Sequence, residues 1–339
     1  MKTIYWLMVF LFLSACSESS IEKQYVIFGL PAEIMIFDTT NEITNKAVAE
    51  FGLATKELNN LLARTSVSEL GQLNSNTGQM KVSHLSKPME KIMQDMQQLP
   101  NNYLTYFMPT SGELLDIWGF TLATSPKTLP PAEKIRSFVA SAHQLNDFKL
   151  SGTTLVPQKS FKFDLDGYDK GHAIDVLIAG LKKDSIKNAL ININGNIGVL
   201  GEKSGRPWKV GIQHPRKPGP IATIELSNDE SLMNALDYEQ YYLLGNKRYN
   251  HIMDYRVGYP VMHTQAVVVI GERSAISSAK LGLLAKILFI AGPKGFSSAV
   301  KKYEIKNAML IDESGEVFIT SSLARRIEFN LPKPIIHEQ

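Results

Sequence analysis

The sequence predicts a mixed α/β domain, a largely antiparallel sheet with packed helices, behind a hydrophobic leader. Segments of strand and helix periodicity interleave from about residue 25 to about residue 335. No repeat, low-complexity tract or long linker divides them, so the roughly 320 residues after the leader read as one unit. With 44% apolar residues and a single cysteine, that length can build a core without disulfides.

The leader comes first. Lys2 precedes an apolar run from Ile4 to Leu13, and Leu13-Ser14-Ala15-Cys16 has the form of a lipobox. The run is shorter than the roughly 20 residues of a permanent span, which favours a cleaved signal. The expectation is a signal peptide over residues 1–15, lipidation of Cys16, and a tether over 16–24. The domain, residues 25–335, then sits in the periplasm, lipid-anchored to a bacterial membrane, inner or outer. An ordinary secretory signal with an incidental cysteine is the alternative. A net charge of +3, or +2 without Lys2, is too small a bias to argue for a nucleic-acid partner.

The elements follow in order. Tyr25 to Phe37 is a strand pair broken near Gly29-Leu30-Pro31. Ile43 to Leu62 places apolar residues at helical spacing, with Thr39 or Thr40 as N-cap. Ser86 to Leu99 is an amphipathic helix with Pro88 in its first turn and a core stripe of Met89, Ile92, Met93 and Met96. Turn residues from Pro126 to Pro131 precede a helix from Ala132 to Gln144. Phe161, Phe163 and Leu165 alternate with Lys162, Asp164 and Asp166, which predicts a strand with one buried face. It runs into Gly167 and a helix from about Lys170 to Leu181. Ala189 to Leu200 turns at Asn194-Gly195-Asn196, and Trp208 to Gln213, Ile221 to Leu226 and Ala266 to Ile270 are further strands. Leu281 to Ala291, interrupted by Lys286, reads as a buried helix. Ala308 to Ile311 and Val317 to Thr320 flank a four-residue hairpin loop.

Two segments carry candidate chemistry. From Asp164 to Gly171 a strand delivers carboxylates and Lys170 to a glycine-punctuated turn where a helix begins. Free amides at a helix start favour anions, and Lys170 adds a charge suited to phosphate. The plainer reading is a loop whose aspartates cap the helix and pair with Lys170. In the second segment His251 and Asp254 lie three apart, so a bend brings them to one site, and histidine suits proton transfer near neutrality.

Taken together these segments resemble the FAD:protein FMN transferase family from about Phe28 to Ile319. Asp164-Leu165, Gly167, Lys170-Gly171, Ala173 and Asp175 are similar to its DLGGIAKGYAVD-type signature. Asn188 to Ile197 is similar to its "naLvniGGdi" strand, and Pro207-Trp208-Lys209-Val210-Gly211-Ile212 to its "pW.vgI" strand. His251-Ile252-Met253-Asp254 with Gly258-Tyr259-Pro260-Val261 resembles "HIiDPrTGyPv", and Leu114 to Phe120 resembles "Lv.lWGF".

The resemblance implies the family's fold and an enzyme. Such a transferase moves FMN from FAD onto a Thr or Ser of an exported redox protein, with release of AMP. The partner is then an acceptor subunit of a periplasm-facing redox complex. The alternative is a FAD-binding lipoprotein of the same fold without transferase activity, a carrier, assembly factor or scaffold.

By matched position, Asp164, Lys170 and the Met253 backbone contact FAD, while Phe28 and Tyr106-Phe107-Met108 line its pocket. His251 and Asp254 shape the site or handle the proton. Mg²⁺ is the metal the family implies, with the Gly167 carbonyl as one ligand. Aligned on Gly292, however, Gly282 and Lys286 occupy the family's metal-binding Asp and Thr positions. Met108, Asn234-Ala235-Leu236 and Asn194 are further departures from its motifs. Three readings stay open: Asp166 and Asp169 rebuild a metal site, Lys286 puts a fixed charge against the diphosphate where the metal sat, or the pocket is empty.

Overall fold

A computed structural model describes residues 20–37, 39–122, 124–330 and 334–338. The leader and Cys16 lie outside the described residues.

Nine strands form the main sheet, in the spatial order Ile21–Ile27, Leu30–Phe37, Asn188–Ile193, Asn196–Leu200, Glu230–Leu236, Thr264–Glu272, Asn307–Asp312, Val317–Ile319 and Ile336–Glu338. Each neighbouring pair is antiparallel except the last, which is parallel. Both faces of the middle of the sheet are covered, so its strands read as continuous apolar runs. Every residue of Glu230–Leu236 is buried. Met233 and Ala235 join the core under the helices, while Leu232 and Leu236 face the second core. Helices Asn41–Leu62, Asp169–Lys183 and Ser278–Lys302 cover the first face. A three-stranded sheet, Ile327–Phe329, Pro220–Leu226 and Trp208–Gln213, covers the other.

Most expected elements are present with shifted ends. The first turn falls at Phe28-Gly29 rather than at Gly29 to Pro31, and its strand takes up Ile21 to Gln24, which the sequence reading gives to the tether. Thr40 caps the Asn41–Leu62 helix. The helix expected from Ala132 to Gln144 ends at Ala140.

One expected element is absent. Phe161 to Leu165 keeps its buried apolar face, but only Lys162 makes an isolated bridge, to Ser111. Its backbone partners change at each step: Lys162 O accepts from Gly112 N, Phe163 N donates to Asn74 Oδ1, and Asp164 N donates to Pro109 O. An alternating pattern reports two environments, and among the described residues no neighbouring strand supplies a ladder.

Two long helices set the site. Asp169–Lys183 and Ser278–Lys302 cross at Gly171, where a Cβ would lie 2.2 Å from the Ser278 carbonyl oxygen. Only glycine permits that approach. Asp175, one turn further on, accepts from the amides of Ser278 (2.9 Å) and Ala279 (3.0 Å), capping the second helix with the first. The Ser278–Lys302 helix has the length and apolar composition of a membrane span, but it breaks at Gly292 (φ 68°), and burial of the part before the break accounts for that composition.

Candidate functional site

The site is a cavity of about 360 Å³ at the start of the Asp169–Lys183 helix, bounded by the turn after Ile27, the end of the Asn41–Leu62 helix with Arg64, and the segments carrying Phe120, Glu239 and His251. Its apolar wall includes Phe28, Leu30, Leu62 and Phe120; its polar wall includes Arg64, Asp166, Asp169, Lys170, Glu239 and His251. Phe28 is fixed by a two-residue hairpin turn with both residues at positive φ (56° and 81°), and its amide donates to Asn59 Oδ1 at 2.7 Å.

Behind the polar wall lies a buried ionic cluster. Lys286, on the Ser278–Lys302 helix, places Nζ 2.9 Å from Asp164 Oδ2, 3.2 Å from Asp166 Oδ2 and 3.2 Å from the Asp166 carbonyl oxygen. An ammonium has three protons, and these three oxygens account for them. Arg64 reaches Asp164 Oδ1 at 3.1 Å. Lys170 lies 3.1 Å from Asp166 Oδ1, 3.2 Å from Glu239 Oε1 and 3.7 Å from Asp169 Oδ1. All four oxygens of the Asp164–Asp166 pair therefore face a protein cation.

The charges respond accordingly. Burial opposes ionisation of Asp166, but Lys286, Lys170 and His251 outweigh it and hold its carboxyl well below the usual range. Asp164 is lowered by Lys286 and Arg64 against the same opposition. Asp169 moves the other way: burial and the neighbouring Asp166 raise it, and Lys170 offsets them only in part. Burial works against the charge on Lys170, yet Asp169, Glu239 and Asp166 keep its ammonium well above the ordinary lysine value.

Gly282, one turn before Lys286, lies against the other half of the turn. A Cβ on Gly282 would stand 2.1 Å from the Gly167 carbonyl oxygen. Gly167 itself is at φ +89°, and a Cβ there would meet the Lys286 stem at 3.1–3.2 Å. The glycines let the turn and the helix close on each other, and the lysine stem runs through the gap.

His251 lines the cavity. The Gln240 carbonyl accepts from Nδ1 across 3.2 Å, which leaves Nε2 facing Asp166 Oδ2 at 3.6 Å. Asp254 is held elsewhere: its carboxylate takes a two-pronged contact from Arg256 at 2.8 and 2.7 Å, so the bend does not bring it beside His251.

Residues 28–310 match the ApbE family, most of the chain's length. The chain belongs to the ApbE family. It is 25% identical over 319 residues to the FAD:protein FMN transferase of Rhodobacter capsulatus, covering 93% of this chain and 60% of that protein. It is 26% identical over 266 residues to that of Haemophilus influenzae, covering 69% and 76%. The chain thus spans less than two thirds of the first relative's length. Among solved structures, the ApbE protein of Thermotoga maritima superposes with a TM-score of 0.80 at 20% identity, covering 91% of this chain and 99% of that one. Flavin transferase ApbE of Vibrio cholerae does so with a TM-score of 0.76 at 21% identity and the same coverage. The mixed α/β architecture with its largely antiparallel sheet is therefore that of the ApbE family.

Within this ApbE-family fold the residues singled out from sequence separate into three places. Phe28, Asp166, Asp169, Lys170 and His251 line the cavity. Asp164, Gly167, Gly282 and Lys286 form the packed junction behind it, where Lys286 Nζ also sits 5.6 Å from the centre of the Phe107 ring. Met108 is buried, with its carbonyl accepting from Ser111 Oγ. Met253 is buried among Trp118, Phe138 and Tyr242, and Tyr106 lies under the Arg256 guanidinium. Arg64, Glu239 and Gln240 line the cavity without having been singled out, as does Phe120, quoted only as the end of the Leu114 to Phe120 motif. Arg64 follows a helix end, 100 residues before the aspartate it bonds, and no spacing signals that approach.

Proposed function

We propose that this chain is a FAD:protein FMN transferase acting on an exported redox protein. What supports the reading is an ApbE-family fold whose cavity joins an apolar wall, Phe28, Leu30, Leu62 and Phe120, to Arg64 and Lys170. A flat isoalloxazine or adenine ring suits the first, and a diphosphate the second. Arg64 bonds Asp164 through one N–H, and a guanidinium has five, so it is the cation best placed to hold phosphate oxygens.

In the reaction, an acceptor Thr or Ser oxygen forms a bond to the FMN phosphorus, the P–O bond to the AMP phosphate breaks, AMP leaves and the hydroxyl proton goes to a base. With Nδ1–H on the Gln240 carbonyl, the neutral His251 ring presents an unprotonated Nε2 at the cavity wall, and that is the group available for the proton. Phosphoryl transfer of this kind depends mainly on positioning and charge neutralisation. By matched position Asp164, Lys170 and the Met253 backbone are the FAD contacts, although of these only Lys170 lines the cavity. The same matching makes Tyr106, Phe107 and Met108 pocket-lining residues, and none of the three lines this cavity.

A divalent ion does not fit the residues present. Mg²⁺ needs oxygen ligands, usually with a carboxylate among them. Lys286, Arg64 and Lys170 take every carboxylate oxygen of Asp164 and Asp166, Gly282 brings no side-chain oxygen, and Asp169 Oδ1 already accepts from the Lys170 amide at 2.8 Å. A second grouping, Asp166, Glu239 and His251, has ligand atoms within 4.8 Å of one another, but Lys170 bridges its two carboxylates. No step is therefore assigned to a metal.

The setting is proposed with the activity: Cys16 lipidated, the domain in the periplasm, the acceptor a subunit of a membrane redox complex. Incubating residues 17–339 with FAD and a Thr-containing acceptor, then looking for flavin fluorescence on the acceptor in a denaturing gel, tests it. A fluorescent acceptor band and released AMP are expected. FAD bound without either product would leave the fold as a flavin carrier.

A further inference from the structure

We propose that Lys286 is a resident cation of the flavin site, so that flavin-nucleotide binding by this chain is independent of divalent metal. The proposal rests on the flavin reading above and goes beyond it by assigning the source of positive charge behind the phosphates.

Three observations carry it. The ammonium is buried, 4% exposed as a residue, and bonded to two carboxylates that are themselves buried. Such a pair, left alone beside a phosphate site, would demand a counter-ion; Lys286 supplies one covalently. Its stem is accommodated by construction, because Gly167 leaves room for the lysine methylenes and Gly282 lets the helix approach the turn. The same approach excludes a side chain at position 282, so the helix cannot contribute a carboxylate while the turn keeps this geometry. Finally, an ion entering between Asp164 and Asp166 would have to displace Lys286, stranding a buried ammonium among apolar neighbours such as Phe107, and one entering at Asp166, Glu239 and His251 would have to displace the equally buried Lys170. A tethered charge is present at full occupancy at any metal concentration, so mass action on Mg²⁺ has nothing to act on.

The experiment has two arms on the purified chain. In the first, Mn²⁺ at millimolar concentration is titrated without nucleotide, read by the loss of the free-ion electron paramagnetic resonance signal and by thermal melting. No bound ion and no rise in Tm over an EDTA control are expected. A stoichiometric bound ion would overturn the proposal. In the second, FAD is titrated by fluorescence in EDTA and in Mg²⁺. A Kd equal within about twofold is expected, whereas a Kd tighter by about tenfold or more with Mg²⁺ would overturn it while leaving the flavin reading intact. No FAD binding in either buffer would overturn the flavin reading and this inference with it, whatever the Mn²⁺ arm shows. A Lys286→Thr variant frees one oxygen on each of two carboxylates and adds a hydroxyl, and should acquire Mn²⁺-dependent thermal stabilisation. A folded variant without it would show that the lysine is not what keeps ions out. Should the variant not fold, the two wild-type arms decide.

Discussion

Replacing Lys286 by methionine removes the ammonium but keeps the stem that fills the gap beside Gly167 and Phe107, so the loss reports on charge rather than on a cavity. Lys286 and its two aspartates are each less than a tenth exposed in their side chains. Breaking a buried pair by deleting one partner costs about 3–5 kcal/mol. Arg64 still faces Asp164 and Lys170 still faces Asp166, which argues for the lower end, about 3 kcal/mol. For a domain of this size that is a fall in Tm of about 5 °C. The pH dependence gives a second reading. In the native chain Asp164 and Asp166 have lowered pKa values, so their contribution is present above the ordinary aspartate value of about 4 and is lost as pH falls through the folded values. Without Lys286 the aspartates take up protons more readily, and the penalty of the substitution should shrink as pH falls from 7 toward 5. Calorimetric or urea unfolding at several pH values measures both. A Tm within about 2 °C of wild type at pH 7, or a penalty that grows on acidification, would refute a buried ion pair at this position.

Three further outcomes follow from neighbouring residues. Gly282→Ala gains about 1 kcal/mol of helix propensity on an ordinary helix, yet its Cβ would stand 2.1 Å from the Gly167 oxygen, so a net loss of about 1–3 kcal/mol is expected in urea melts. Asp175→Ala removes both side-chain bonds to the amides of Ser278 and Ala279, and should cost about 1–2 kcal/mol with little change in FAD affinity. Arg64→Ala should weaken FAD binding by about tenfold or more in a fluorescence titration, and an unchanged Kd would remove Arg64 from the phosphate site.

What sequence reveals here is periodicity and wording, and both succeed where the chain contacts itself locally. The strand pairs around Asn194-Gly195 and Asp312 to Gly315, and the Lys87–Gln97 helix with its Ser86 cap and Pro88, follow from residues within a few positions of one another. The signature around Lys170 was legible as a site, but its physical roles divide. Gly171 and Asp175 serve the crossing of two helices, while only the Asp166 to Lys170 stretch reaches the cavity. The plainer reading of that loop was correct in part, since Asp166 and Asp169 do pair with Lys170. His251 and Asp254 diverge because Arg256, two residues on, claims the carboxylate, a competition that spacing alone does not reveal. Arg64 and Glu239 join the site through tertiary packing at separations of 100 and 69 residues from their partners, beyond any local pattern.

The cluster also fixes how protons and flavin should be linked. Asp164, Asp166, Asp169 and Glu239 carry four negative charges when ionised, against three fixed positive charges on Arg64, Lys170 and Lys286, leaving one negative charge in excess. A diphosphate brought to the same wall adds more. Asp169 is the carboxyl best able to relieve this, because burial and Asp166 already raise its pKa above the ordinary value and it lines the cavity. An anion nearby raises it further, so the complex binds more protons than the free chain over the range in which Asp169 titrates. By linkage, FAD affinity must then increase as pH falls through that range, with proton uptake on binding. Asp169→Asn, which is neutral at every pH, should bind FAD at least as tightly as wild type near neutrality and lose this part of the pH dependence. Calorimetry in two buffers of different ionisation enthalpy measures the uptake directly. Proton release, or an affinity that rises with pH in the wild type, would mean that the phosphates meet a wall more positive than these residues make.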